Sequence, residues 1–161
     1  MPMQSPDDKA ALRRALGAFA TGVTIVTARG PGGEPVGFTA NSFTSVSLDP
    51  PLLLVCLAHT AASYSIFCEV ESFAVNVLEV GQEETAKRFA ARGADKFGST
   101  AWKEGIMGAP LIDGSLARFD CAMDSRVTAG DHDILIGQVL GFSLHEGAAL
   151  LYHFGSFRAL A

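Results

Sequence analysis

Between Ala117 and Val127 the sequence alternates with a period of two. Ala117, Phe119, Cys121, Met123, Ser125 and Val127 form one set of positions, and Arg118, Asp120, Ala122, Asp124 and Arg126 form the other. Neighbouring strand side chains point to opposite faces, so the pattern predicts a long strand with one wet face. Gly130-Asp131-His132-Asp133 marks a turn, and Ile134–Leu144 supplies a partner strand. A hairpin of this length constrains the rest of the chain, because its apolar face must be covered by further elements.

Those elements are mostly strands. Val23–Ala28 is β-branched, and Gly30-Pro31-Gly32-Gly33 with Pro35 predicts a hairpin into the stretch from Val36. Pro50-Pro51 splits the next region and leaves Leu52–Leu57 as a short buried strand. Ser72–Leu78 and Leu150–Tyr152 also read as strands, with Phe157–Leu160 at the terminus. Helices are few. Ser5-Pro6-Asp7-Asp8 gives a cap, a first-position proline and acids, so a helix is predicted from Pro6 to Ala20. Thr60 caps a short helix through Phe67, and Gln82–Arg92 is helical up to Gly93, with Thr85, Arg88, Phe89 and Arg92 on one face. Residues 94–114 read as an irregular functional loop. Alternating βαβ units are absent, so an antiparallel barrel with peripheral helices fits better than a doubly wound sheet.

Composition removes several function classes. A net charge of −5 argues against nucleic acid as the main partner, since phosphate binding needs a basic face. No apolar stretch reaches the ~18 residues of a membrane span, and the acidic start is unlike a signal peptide. Cys56, Cys68 and Cys121 form no C-x-x-C pair and read as thiols in a reducing cytoplasm. The 161 residues predict one domain. Charged residues make up only 18%, below the usual ~25%, so apolar surface beyond a single core is expected to be buried, as a dimer interface would do.

The chemistry-bearing candidates are specific. No G-x-G-x-x-G or P-loop pattern is present, and Gly30–Gly33 lies inside a hairpin with no helix after it. Thr39, Asn41, Ser42, Thr44, Ser45 and Ser47 crowd into nine positions between apolar strands. Small polar groups and free backbone N–H groups there suit a planar polar heterocycle, although Ser/Thr-rich strand ends also serve ordinary turns. Lys87, Arg88, Arg92 and Lys96 form either a solvated helix face or a phosphate clamp. His132 is either a surface turn histidine or a ligand contact. No H-x-x-x-H or H-x-D spacing supports a metal site, and no G-x-S-x-G supports a hydrolase.

Several segments resemble the short-chain flavin reductase family, which includes the reductase components of two-component flavin monooxygenases. They are Phe19–Thr27, Gly37–Pro51, Phe73–Leu78, Arg88-Phe89-Ala90, Gly130-Asp131-His132 and Leu151-Tyr152. The resemblance implies a six-stranded antiparallel Greek-key split β-barrel that forms a homodimer. It also implies an NAD(P)H:flavin oxidoreductase, with FMN or FAD and NADH (or NADPH), that supplies reduced flavin to a partner monooxygenase. A non-catalytic flavin carrier, or a reductase of a corrinoid or ferric chelate, would carry the same segments. Position by position, Thr39, Ala40, Asn41, Ser42, Ser45, Val46 and Ser47 would line the isoalloxazine. Ala58 and Ser63 would lie near the ribityl phosphate, Arg88 and Phe89 at the phosphate end or, if FAD binds, at its adenylate part, and Lys96 would also belong to the cofactor-binding set. His132 would sit by the nicotinamide. Ala61 and Ala62 stand where relatives often carry a basic or hydroxyl residue, and His153–Phe157 lacks the family's basic positions.

Overall fold

The computed structural model describes residues 1–160. The chain opens with α1 (Lys9–Leu16), followed by β1 (Thr21–Gly22), β2 (Thr24–Arg29), β3 (Pro35–Ala40), β4 (Thr44–Leu48) and β5 (Pro51–Ala58). Next come α2 (Tyr64–Phe67), β6 (Ser72–Val77), a 3-10 turn at Val80–Gln82 and α3 (Glu83–Ala90). The remainder is β7 (Trp102–Glu104), β8 (Pro110–Ile112), β9 (Ala117–Ala129), β10 (His132–Leu144), β11 (Leu151–His153) and β12 (Ser156–Arg158).

The caps explain the shorter helices. Asp8, not Ser5, accepts from the Ala11 N–H, so α1 starts after the proline, and Gly17 ends it. At α3, Glu79 and Gln82 form a reciprocal capping box, and Glu83 and Glu84 occupy the favourable first turn. The stretch expected to be an irregular loop contains the hairpin β7–β8.

The main sheet is antiparallel, with the order β3-β2-β6-β9-β10-β5-β4. Its two edges, β3 and β4, are consecutive in sequence and joined only by residues 41–43. In a flat sheet of this width the edges would stand about 29 Å apart at the usual strand spacing. Three connecting residues reach no more than about 14 Å, so the sheet curls until its edges face each other across a split. This corrects the expected six strands. The Asp49-Pro50 turn folds β4 back onto β5, pairing Leu48 with Pro51, and adds a seventh strand. Among the described residues no ladder joins β3 to β4, so the ring of hydrogen bonds stays open.

The long hairpin departs from simple alternation. Its register skips Asp124 between the Ile136–Ser125 and Gly137–Met123 pairs, which is a β-bulge. Opposed residues share a face, so the bulge moves Ser125 and Val127 to the outer face with Ile136 and Ile134. Arg126 and Thr128 turn inward instead. Asp120, expected to be wet, is buried, with one carboxylate oxygen accepting from the Ile106 N–H.

Val26, Val55, Leu57, Phe67, Phe73, Val75, Cys121 and Leu135 fill the inside of the curl. Gly137 is required there, since a Cβ would lie 2.6 Å from Phe73 Cζ and 2.8 Å from Cys121 Cβ. A second cluster, including Val23, Ile25, Leu78, Ala86, Phe89 and Leu150, packs beneath α3 and the C-terminal strands. Every residue from Thr24 to Ala28 is buried, because β2 is covered on both faces.

Candidate functional site

Four stretches of chain converge at the split. The end of β3 and its turn bring Phe38, Thr39, Ala40, Asn41 and Ser42. The end of β5 and the turn into α2 bring Cys56, Leu57, Ala58, Ala61, Ala62 and Ser63. Phe89, Ala90, Ala91, Arg92 and Lys96 come from α3 and the loop beyond it, and His132 from the start of β10. They line a cleft of about 320 Å³, within the range of small-molecule sites.

The hydroxyls of the cradle mostly lock it together. Thr39 Oγ1 donates to the Ala86 carbonyl at 2.5 Å, tying β3 to α3. Ser42 Oγ accepts from the Cys56 N–H at 2.8 Å, tying the turn to β5 across the split. The Asn41 amide and the Ser63 hydroxyl have no side-chain partner among the described residues and are left for a ligand. Alanine at positions 40, 58, 61, 62, 90 and 91 keeps the walls thin, so a flat molecule can approach the backbone.

Two cations border the cleft. Arg92 Nη2 donates to the Thr60 carbonyl at 3.0 Å, reaching from the loop after α3 to the β5–α2 turn. Lys96 Nζ donates to the carbonyls of Phe89 at 2.9 Å and Gly37 at 3.2 Å, and burial lowers its pKa. An ammonium has three donors, so one remains. On the β5–β10 wall, His132 Nδ1 donates to Asp131 Oδ1 at 2.6 Å, which leaves Nε2 free to meet a ligand. That contact, first among its causes, holds the Asp131 carboxyl below the ordinary range.

A buried carboxylate braces this wall. Asp133 Oδ1 accepts from His59 Nε2 at 2.9 Å and from Thr128 Oγ1 at 2.9 Å, and Oδ2 accepts from the Tyr64 hydroxyl at 2.8 Å. One side chain thus joins β10, the end of β9, the β5–α2 turn and α2. The His59 bond, then the Tyr64 bond, hold its pKa below the ordinary carboxylate value. The stabilisation is complete above the unfolded value near pH 4 and is lost as pH falls through the lower folded value. Asp133→Asn cannot titrate, so the stability gap between wild type and variant should shrink steadily below about pH 4. Urea midpoints measured against pH check this, and a constant gap would show that Asp133 does not brace the wall.

Of the candidates named from sequence, ten surround the cleft: Thr39, Ala40, Asn41, Ser42, Ala58, Ser63, Phe89, Arg92, Lys96 and His132. Ser45, Val46 and Ser47 do not. They lie on β4 beyond the turn, with Ser45 and Val46 exposed, because the chain has already crossed the split at Ser42. Arg88 is also elsewhere, with Nη1 donating to Thr100 Oγ1 at 2.7 Å. The basic cluster therefore divides. Lys87 pairs with Glu83 and Glu84 on the outer face of α3, whereas Arg92 reaches the cleft. The helix ends at Ala90 and Ala91 is extended, which carries Arg92 off the face that helical spacing gave it. Cys56 was also missed, because the apolar run around it hides a strand's period of two. Among the described residues no three His, Cys, Asp or Glu side chains gather as a metal site would require, and no helix is long and apolar enough to cross a membrane.

The fold and the cleft define a class. Residues 16–161 match the family described as flavin reductase like domain, and the chain belongs to it. The chain is 49% identical over 135 residues to the stachydrine N-demethylase reductase subunit of Rhizobium meliloti, covering 84% of this chain and 59% of that protein. It is 44% identical to the NADH-dependent FAD reductase of Streptomyces globisporus, covering 97% of this chain and 88% of that protein. A solved structure of the S. globisporus C-1027 NADH:FAD oxidoreductase, in complex with NAD and FAD fragments, superposes with a TM-score of 0.94. It is 42% identical and covers 100% of this chain and 98% of that one. The chain spans only 59%, 43% and 47% of the lengths of three of its curated relatives.

Proposed function

We propose that this chain is an NAD(P)H:flavin oxidoreductase, with NADH as the preferred donor and FMN or FAD as the acceptor, that hands reduced flavin to a monooxygenase. The observation that carries this reading is the cleft itself: a thin-walled slot with Asn41 and His132 Nε2 available as polar contacts and Lys96 and Arg92 beside it. These residues fit a flat heterocycle with an anionic tail. The relatives' names, an NADH-dependent FAD reductase and a demethylase reductase subunit, support the donor, the acceptor and the oxygenase partner. So does a trigonelline monooxygenase reductase component at 47% identity.

A bound flavin supplies the electron chemistry, accepting hydride from a reduced nicotinamide. The protein's part is to position and shield. The backbone from Thr39 to Ser42 holds the ring edge, pinned by the Ala86 and Cys56 bonds. Lys96, Arg92 and Ser63 neutralise and orient the phosphate end. The thin alanine wall would leave one face of a bound flat ring accessible to a nicotinamide. His132 orients the nicotinamide carboxamide or the flavin edge through Nε2, held in place by Asp131, and is not an obligatory acid. Steady-state NADH consumption with FMN or FAD as acceptor tests the assignment. Turnover that depends on added flavin supports it, and the absence of turnover with both flavins and both nicotinamides favours a carrier.

The single domain over 1–161 is completed by a second copy. Ile134, Ile136, Leu52 and Leu54 are half-exposed on the outer sheet face, and Val127 is 47% exposed beside them. The register places Cys56, Ala58 and His132 of the cleft on this same face. A dimer would cover the apolar strip and wall in the cleft. Sedimentation should give a dimer at micromolar concentration, and Ile136→Glu should yield monomers with weakened flavin binding. A wild-type monomer would contradict this. The unpaired thiols Cys56, Cys68 and Cys121 fit a reducing cytoplasm.

A further inference from the structure

His132 makes a polar contact in the cleft, yet it stands at a strand end. It is the first residue of β10, directly after the two-residue turn Gly130-Asp131 that closes the long hairpin. Among the described residues its side chain bonds to the Asp131 carboxylate, which is 95% exposed, and a pair so open to solvent fixes little. Resting on the flavin reductase reading, we infer that His59, which does not itself line the cleft, is a positioning residue that holds His132 in line for the nicotinamide.

His59 grips both neighbours of His132. Its backbone N–H donates to the Asp131 carbonyl at 3.0 Å, and its Nε2 donates to Asp133 Oδ1 at 2.9 Å. The register pairs His132 with Ala58, so His59 comes opposite Asp131 and its side chain crosses diagonally to Asp133 on the face behind His132. Asp133 is buried, which strengthens a bond to its carboxylate relative to one at the surface. The His59 ring is backed by Tyr64, whose ring centroid lies 5.0 Å away and whose hydroxyl donates to the other Asp133 oxygen at 2.8 Å. These side chains stand directly behind the cleft wall. Ala58, Ser63 and His132 line the cleft, and the next residues along the chain are His59, Tyr64 and Asp133 respectively. Loss of the His59 side chain keeps the backbone bond to Asp131 but loosens Asp133, and with it the strand immediately after His132.

The test is steady-state kinetics of the full chain with NADH and FMN or FAD, in a cycle of His59→Ala, His132→Ala and the double variant. His59→Ala should raise KM for NADH about fivefold while changing kcat and flavin affinity by less than about twofold. In the His132→Ala background the same substitution should leave KM almost unchanged, because its effect runs through the residue already removed. His59→Gln offers an amide N–H close to the position of Nε2 and should restore most of the wild-type KM. Tyr64→Phe removes a single bond from Asp133 and should raise KM by a smaller factor, about twofold, so the comparison stands even where His59→Ala fails to fold. A wild-type KM in both His59→Ala and Tyr64→Phe overturns the inference, as do additive effects in the cycle, which would leave His59 a role in stability alone. If wild type turns over and either of these results appears, only the inference falls. If wild type turns over neither nicotinamide with either flavin, the function reading falls with it.

Discussion

Ala58→Trp should lower flavin affinity by more than about a hundredfold while leaving the fold intact. Ala58 is the last residue of β5 and pairs with His132, so its backbone is fixed by the sheet whatever its side chain. Its Cβ lies on the outer face, lining the cleft. An indole there would occupy much of a cleft of about 320 Å³ and stand where the ring is expected. No core contact is lost, so stability should change by no more than about 0.5 kcal/mol. Fluorescence titration with FMN and FAD gives the first quantity and urea unfolding the second. Undiminished flavin binding would move the site elsewhere.

Phe73→Ala carries the largest expected cost in stability. Phe73 is fully buried on β6, paired with Cys121, and its ring tip lies against Gly137. Truncating a buried phenylalanine costs about 3–5 kcal/mol, because the cavity left behind closes only in part. Whole domains are stable by only about 5–15 kcal/mol, so the variant should melt roughly 10 °C lower. The close approach of Gly137 adds a sharper expectation. Gly137→Ala in the wild-type chain drives a methyl group into Phe73 and should cost about 1–3 kcal/mol. In the Phe73→Ala background the same methyl group enters vacated space, so its cost should vanish or reverse. Strictly additive effects in a double-mutant cycle would show that the two residues do not share that space.

The long hairpin, the β2–β3 turn and the Thr39–Ser42 cradle were all legible in the sequence, because each rests on local pattern or turn chemistry. The Asp124 bulge was not. Alternation continues unbroken in the letters, and only pairing with β10 shows where a residue is skipped. That skip decides which residues face inward, and it brings Thr128 to Asp133. The Asp133 brace was equally hidden, since its partners lie 5, 69 and 74 residues away in sequence. Arg88 and Arg92, expected on one face, are separated for a related reason: helical spacing describes a face only as far as the helix runs. Ser45–Ser47 looked like a continuation of the cradle, but the chain leaves the cleft at Ser42, and no local signal marks that departure. The family resemblance supplied the seven-stranded sheet's general kind but not its count, because β4 is added by one tight turn.

A flavin seated in the cleft should be reduced there by a nicotinamide. Anaerobic mixing of the full chain with one equivalent of FAD and excess NADH tests it directly, by following the flavin's visible absorbance. Wild type should bleach rapidly, and Ala58→Trp should bleach no faster than free flavin mixed with NADH. Bleaching of the variant at the wild-type rate, or no bleaching of wild type above the free-flavin rate, would show that the cleft is not where the flavin is reduced.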